Sequence, residues 1–306
     1  MAAPRVRTLA TVEPAVFVLI AVAAALHVTW NVLLKTAGDP LAAATMSMVI
    51  GTLVLVPAVV VAWWLVGQPA IPAQVVLLGM GSGVLEAVYF GFLAAAYRRG
   101  DLSVVYPVAR GSATLLAVAF GIVILGERLG PTGIAGVVAL LAGFALLQRP
   151  WRAFRAGVGG LRIDPAVAFA LATGVTIASY SAVDRVGSRL VAPWIYAAIL
   201  WLSGAVVLVG WALVRPGRRD PDRPRVSILR AAVGGVLTVA AYMCILFAFS
   251  LAPLTAVAPL RESAIVLASG WGALRLGEAS GRREAGVRIG AAALIVAGAV
   301  LLSLKS

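Results

Sequence analysis

The chain contains a single cysteine, Cys244, and a single histidine, His27. One cysteine rules out an internal disulfide and a Cys-based metal site. No His-Glu-x-x-His, Gly-x-Ser-x-Gly or Walker loop occurs, so the signatures of metallopeptidases, hydrolases and ATP-driven pumps all fail. No cofactor, no metal and no enzymatic activity are expected. Charge is scarce too: charged residues are 12% of the chain, against about 25% in a soluble domain. With 62% hydrophobic residues and a mean hydropathy of +1.02, the remaining class is an all-α integral membrane protein. Acidic residues are scarcest, 12 against 25 Lys and Arg. The excess could suggest nucleic acid, but the basic residues sit in short loops between apolar runs, where they act as topology signals. The expected partner is the lipid bilayer, with no nucleic acid.

The apolar runs are Pro14 to Leu34, Leu41 to Val66, Val75 to Tyr97, Leu102 to Leu125, Thr132 to Leu147, Pro165 to Val183, Pro193 to Val214, Ala231 to Leu251, Pro253 to Leu274 and Ile289 to Leu304. Most approach the roughly 20 residues that span a bilayer, which predicts ten transmembrane helices. The first run could imitate a signal peptide, but Pro165 to Val183 occupies the same place later in the chain and cannot be one, so the first is read as a retained helix. Between the halves, Arg149, Arg152, Arg155 and Arg162 mark a solvated basic linker. The division is 1–148, linker 149–163, and 164–306.

The halves are copies. Tyr106 to Arg128 and Ala258 to Ala279 align without a gap: Arg261, Ser263, Ala264, Gly277 and Glu278 each follow Arg110, Ser112, Ala113, Gly126 and Glu127 by 151 positions. Five helices per copy is an odd number, so the second copy enters the membrane from the opposite side. Two inverted five-helix repeats follow, a plan recurrent in secondary transporters with a substrate site near the midplane.

Each copy places an arginine near mid-membrane, at a cost of about 2.5 to 3.5 kcal/mol. Two such arginines at matching places, Arg110 and Arg261, mark a candidate site with Glu86 and Glu262. One reading is two buried ion pairs that hold the halves together. The other is that an arginine binds an anionic substrate group through its planar fork while a carboxylate carries a coupling proton or takes part in coupling to another ion. Pro107 and Pro259 leave the carbonyls of Ser103 and Thr255 without helical partners, which marks either a gating bend or a kink repaired by neighbouring hydroxyls. His27, Asn31 and Lys35 share a face of the first helix beside Trp30; His27, Trp30 and Asn31 join the candidate substrate-binding or gating residues, with packing against neighbouring helices rather than ligand binding or proton relay as the favoured reading of the histidine. Tyr89, Tyr180 and Tyr242 lie within apolar runs as candidate cavity residues. Gly79 and Gly83, and Gly286 and Gly290, fit small-residue helix packing.

With these residues on the page, the chain resembles the EamA-type family of the drug/metabolite transporter superfamily. The resemblance rests on Trp30, Asn31 and Lys35 ending the first helix, on Leu-Gly-Glu closing the fourth, and on a softened second copy in Tyr180, Ser181, Arg185 and Leu276, Gly277, Glu278. It implies a multi-pass plasma-membrane carrier, monomer or homodimer, moving a small metabolite or drug-like compound, usually by export. The arginines point to an anionic or zwitterionic substrate. A membrane-embedded enzyme or sensor that uses Glu86 or Glu262 as acid or base is the alternative. Loop charge and family expectation disagree on orientation. Alternating helices place 6 Lys and Arg on the side of the termini and 17 on the other, so the count puts both termini outside, where the resemblance implies both inside.

Overall fold

The computed structural model describes residues 14–125, 130–148, 164–214, 226–252, 257, 261 and 264–303. Among them are ten helices and no strand: α1 (Pro14–Lys35), α2 (Pro40–Leu65), α3 (Ala73–Tyr97), α4 (Leu102–Leu125), α5 (Pro131–Gln148), α6 (Pro165–Leu190), α7 (Pro193–Val214), α8 (Ile228–Leu251), α9 (Ala264–Leu274) and α10 (Arg282–Ser303). Proline at the first position of α1, α2, α5, α6 and α7 sacrifices only an N–H that has no helical partner there. Asp39 and Asp164 precede two of these prolines and accept from Leu41 and Ala42 and from Ala166, capping α2 and α6.

Two boundaries among the described residues differ from the sequence expectation by about two turns. The sixth run stops at Val183 because charge follows it, but α6 continues to Leu190 with Asp184 buried inside the fold. The tenth run opens at Ile289, whereas α10 begins at Arg282, because Arg288 pairs with Glu284 (2.9 Å) one turn earlier and with Asp101 (2.9 Å). Most of the ninth run before Ala264, including Pro259 and Glu262, lies outside the described residues. Among the described residues, six helices, α1, α2, α3, α6, α7 and α8, are long and apolar enough to cross a membrane. Leu53, Leu77 and Leu213 are 67%, 70% and 75% exposed on them. Apolar side chains so exposed on long helices are at home against lipid.

The most extensive helix contacts all cross between the halves: α5 with α10, α3 with α6 and α7, α4 with α6, and α8 with α1 and α2. Most of the pattern maps onto itself when α1 to α5 are exchanged with α6 to α10, since α3 on α6 and α7 becomes α8 on α1 and α2, and α5 on α10 becomes its own image. The caps repeat it. Lys35 Nζ donates to the carbonyls of Tyr97 (2.9 Å) and Gly100 (2.7 Å) at the end of α3. Arg185, its counterpart, donates to the carbonyl of Phe249 (2.9 Å) at the end of α8. A cation there satisfies carbonyls that a helix end leaves open. The two caps lie at opposite ends of the bundle: Gly100 sits beside Ala166 at the start of α6, whereas Arg185 is in its last turns, on a helix about 39 Å long.

The Leu-Gly-Glu motif also acquires a role. Gly277 adopts a left-handed φ of 66°, which glycine tolerates without strain. Beyond that turn the Glu278 carboxylate accepts from the N–H groups of Leu102 (2.9 Å) and Ser103 (3.0 Å), capping α4 of the other half. At the same end Arg288 reaches Asp101 and Ser103, Arg230 donates to the Thr36 carbonyl (3.1 Å), and the Arg99 guanidinium stands 4.7 Å from the Phe169 ring. The turns after α1, α3 and α9 and the start of α8 therefore gather at one end, as alternating helices require.

Candidate functional site

A cavity lies where the halves meet. Its walls are His27, Trp30 and Asn31 of α1, Glu86, Tyr89 and Phe90 of α3, Tyr106 and Arg110 of α4, Tyr180 of α6, and Thr238 and Tyr242 of α8. Eight residues singled out in the sequence thus line one space: Arg110, Glu86, Tyr89, Tyr180, Tyr242, Trp30, Asn31 and His27. Arg261 stands behind the wall, 2% exposed, and its charge acts on Glu86, His27 and Tyr180. Pro107 lies outside the lining; α4 runs through it, and Ser269 of α9 donates to the freed Ser103 carbonyl at the long distance of 3.5 Å.

The open volume is only ≈ 20 Å³, about one water's worth. A chain of rings accounts for the closure. Trp30 meets Phe90 edge-on at 5.5 Å, Phe90 meets Tyr89 at 4.9 Å, Tyr89 meets Tyr180 at 5.8 Å and Tyr180 meets Tyr242 at 6.1 Å. Trp30 also borders a larger cleft of ≈ 340 Å³, which runs past Thr36, Ala43, Ser47, Ser227 and Arg230 toward the basic end. Trp30 is the residue that the walls of the cleft and of the closed cavity have in common.

The polar stripe of α1 is held by α3. Asn31 donates to the His27 carbonyl (2.8 Å) and accepts from Tyr97 OH (2.7 Å), while Lys35 caps α3 one turn on. Asn31 and Lys35 thus tie α1 to the end of α3, and Trp30, next to Asn31, faces the cavity.

Sequence reasoning missed the most buried charge among the described residues. Asp184 has no exposure and accepts from three hydroxyls: Ser82 (2.5 Å) and Tyr196 (2.8 Å) on Oδ1, and Tyr242 on Oδ2. Tyr242 faces both the cavity and Asp184. Close by, Glu86 is 4% exposed, and its Oε2 has no hydrogen-bond partner among the described residues. No ion pair joins Glu86 to Arg261 among those residues. Arg261 reaches Ser181 Oγ at 3.4 Å, leaving Nε and Nη1 without such partners. Whether Glu262 supplies one lies outside the described residues. The sequence did carry a signal for Asp184: it follows Tyr180 by four positions and so shares its helix face.

Against known proteins, the sequence profile of the EamA-like transporter family matches twice, over residues 15–149 and 164–304. A crystal structure 24% identical in sequence superposes with a TM-score of 0.63, covering 94% of this chain and 95% of that one, and so shares its fold. A search of curated proteins gives no match. Two matches that together span nearly the whole chain, on an all-helical fold with lipid-compatible surfaces, identify it as a membrane protein belonging to the EamA-like transporter family.

Proposed function

We propose that the chain is a secondary carrier of ten membrane-crossing helices in two inverted five-helix repeats, exporting a small anionic or zwitterionic metabolite or drug-like compound from the cell across the plasma membrane. The observation that carries this reading is the closed cavity shared by both halves, with Arg110 and Glu86 in its wall and Arg261 behind it. The repeated cap, Lys35 on α3 and Arg185 on α8 at opposite ends, supports the inversion. Alternating access then consists of moving Trp30, which opens the cavity to the cleft at the basic end, and parting the contacts of Asp184 with Tyr242 and Tyr196, which close the other side. Guanidinium groups in a dry site favour carboxylate or phosphate over a cationic compound. The test compares metabolite pools inside and outside cells with and without the protein. An anionic or zwitterionic compound should fall inside and rise outside when it is made, and the same compound should cross proteoliposomes unchanged. Chemical conversion of that compound without flux would sink the carrier reading.

For orientation, the end bearing Lys35, Arg98, Arg99, Arg230, Arg275, Arg282, Arg283 and Arg288 is the cytoplasmic one on our reading, because short basic loops stay inside. Both termini then lie outside. A C-terminal reporter active only in the cytoplasm should be silent, and a strong signal overturns the assignment.

A further inference from the structure

We infer that Asp184 and Glu86 form one two-carboxylate site that holds a single proton, bound on Glu86, and that Tyr242 links this site to the cavity. The inference deepens the carrier reading by naming a coupling site, but its test reads protonation rather than transport, so either can fail without the other.

The distribution of donors argues for it. Both Asp184 oxygens are engaged by hydroxyl donors from three helices, Ser82 on α3, Tyr196 on α7 and Tyr242 on α8. A carboxylate given three donors is stabilised in its ionised form. Glu86 has the opposite surroundings: its buried Oε2 finds no donor among the described residues. An ionised oxygen in that position would bear the desolvation cost unrelieved, whereas a protonated carboxyl carries no charge. Ser82, one turn before Glu86 on the same side of α3, donates to Asp184, which sets the two carboxylates near one another, where like charges disfavour double ionisation beyond the burial of either.

Arg261 supplies an independent observation. It is 2% exposed, bears two nitrogens without hydrogen-bond partners among the described residues, and acts on both carboxylates. One cation facing two carboxylates is balanced when they share one proton. Among the described residues, the other titratable groups facing the site or the cavity it borders are His27 of α1, Tyr89 of α3, Tyr106 of α4, Tyr180 of α6, Tyr196 of α7 and Tyr242 of α8, the tyrosines neutral in their donating form. Arg110 of α4 faces the same cavity wall.

The link to the cavity is covalent geometry. Tyr242 OH donates to Asp184 while the same ring lines the cavity, and Glu86 belongs to both the pair and the lining. An anionic substrate that draws away Arg261 or Tyr242 removes a stabilising contact from the pair and favours keeping the proton. Emptying the cavity restores the contact and loosens the hold on the proton.

The experiment is infrared spectroscopy of the purified full chain in lipid at neutral pH, reading the carbonyl stretch of a buried protonated carboxyl by its downshift in heavy water. Glu86→Gln should lose one such band. Asp184→Asn should lose the same band, because with Asp184 neutral Glu86 becomes the one anion facing Arg261. Retention of the band in Asp184→Asn would show that burial alone holds the Glu86 proton and would overturn the shared site. Retention in Glu86→Gln would overturn the assignment of the proton, and so would absence of any such band in the wild type. Addition of sodium at constant pH should leave the band unchanged; its loss would mean that a metal ion, not a proton, occupies the pair. If Asp184→Asn does not fold, Tyr242→Phe, which takes one donor from Asp184 and keeps the ring, should weaken or shift the same band, and an unchanged band there would overturn the shared site.

Discussion

Replacing Gly83 by valine is expected to remove most of the folded protein from the membrane, while Gly81→Val, two positions along the same helix, accumulates as the wild type does. A Cβ at Gly83 would strike the Leu200 carbonyl oxygen and lie 2.7 Å from Ser203 Cβ and 2.8 Å from Gly204 N on α7. Two of these three atoms are backbone, which cannot turn aside as a side-chain tip can. At Gly81 a Cβ meets nothing within 4 Å. Helices in lipid gain little from hydrophobic burial and associate through close packing. Forcing α3 and α7 apart therefore removes the contact that holds them, at about 1–3 kcal/mol or more, from a total stability of only about 5–15 kcal/mol. The displacement also draws Ser82, the neighbour of Gly83, from Asp184. Monodisperse protein recovered after detergent extraction measures the effect, and equal recovery of the two variants would refute the packing account.

Cells making Arg110→Ala or Arg261→Ala should show the metabolite pools of cells that lack the protein, with inserted protein still present. Deleting one member of a desolvated, hydrogen-bonded charge pair costs about 2–5 kcal/mol, so a substrate held by either guanidinium would lose at least about 30-fold in affinity. Arg261→Lys keeps the charge but loses the planar fork. It should stay inserted and folded without supporting full transport. Wild-type pools in both alanine variants would remove the arginines from the site, and failure of both to accumulate would assign them a structural task instead.

What the sequence revealed follows from the range over which each signal acts. Apolar length is local, and the span-length helices α1, α2, α3, α6, α7 and α8 all coincide with runs read from composition. The duplicated arginines pointed to the region where the halves meet, because a mid-membrane charge is costly wherever it sits. Asp184 escaped notice because the run was cut at the first charged residue, although a helix continues through a charge whose hydrogen bonds are met, here by groups 12 to 102 positions away. The small-residue pattern was half informative. Gly79 and Gly83 meet α7, whereas a Cβ at Gly286 or Gly290 meets nothing within 4 Å; spacing defines a stripe on a helix but not whether another helix faces it. The Trp-Asn-x-x-x-Lys motif was legible as a pattern, but its contacts with Tyr97 and Gly100 are set by tertiary packing 62 to 66 positions away.

The interleaving of the halves has a consequence for how the chain is made. Because α3, α4 and α5 find their main neighbours among α6, α7 and α10, the first half leaves the ribosome before its packing partners exist. At about 5–20 residues per second, α3 waits roughly 4 to 20 s for α6, with Glu86 lacking the walls that later enclose it. During that interval the carboxyl must be neutral, or remain in the translocation machinery or at the water boundary, since lipid offers it no donor. Insertion of the first half therefore becomes a provisional state, completed only when α6 brings Asp184 against Ser82 and closes the wall around Glu86.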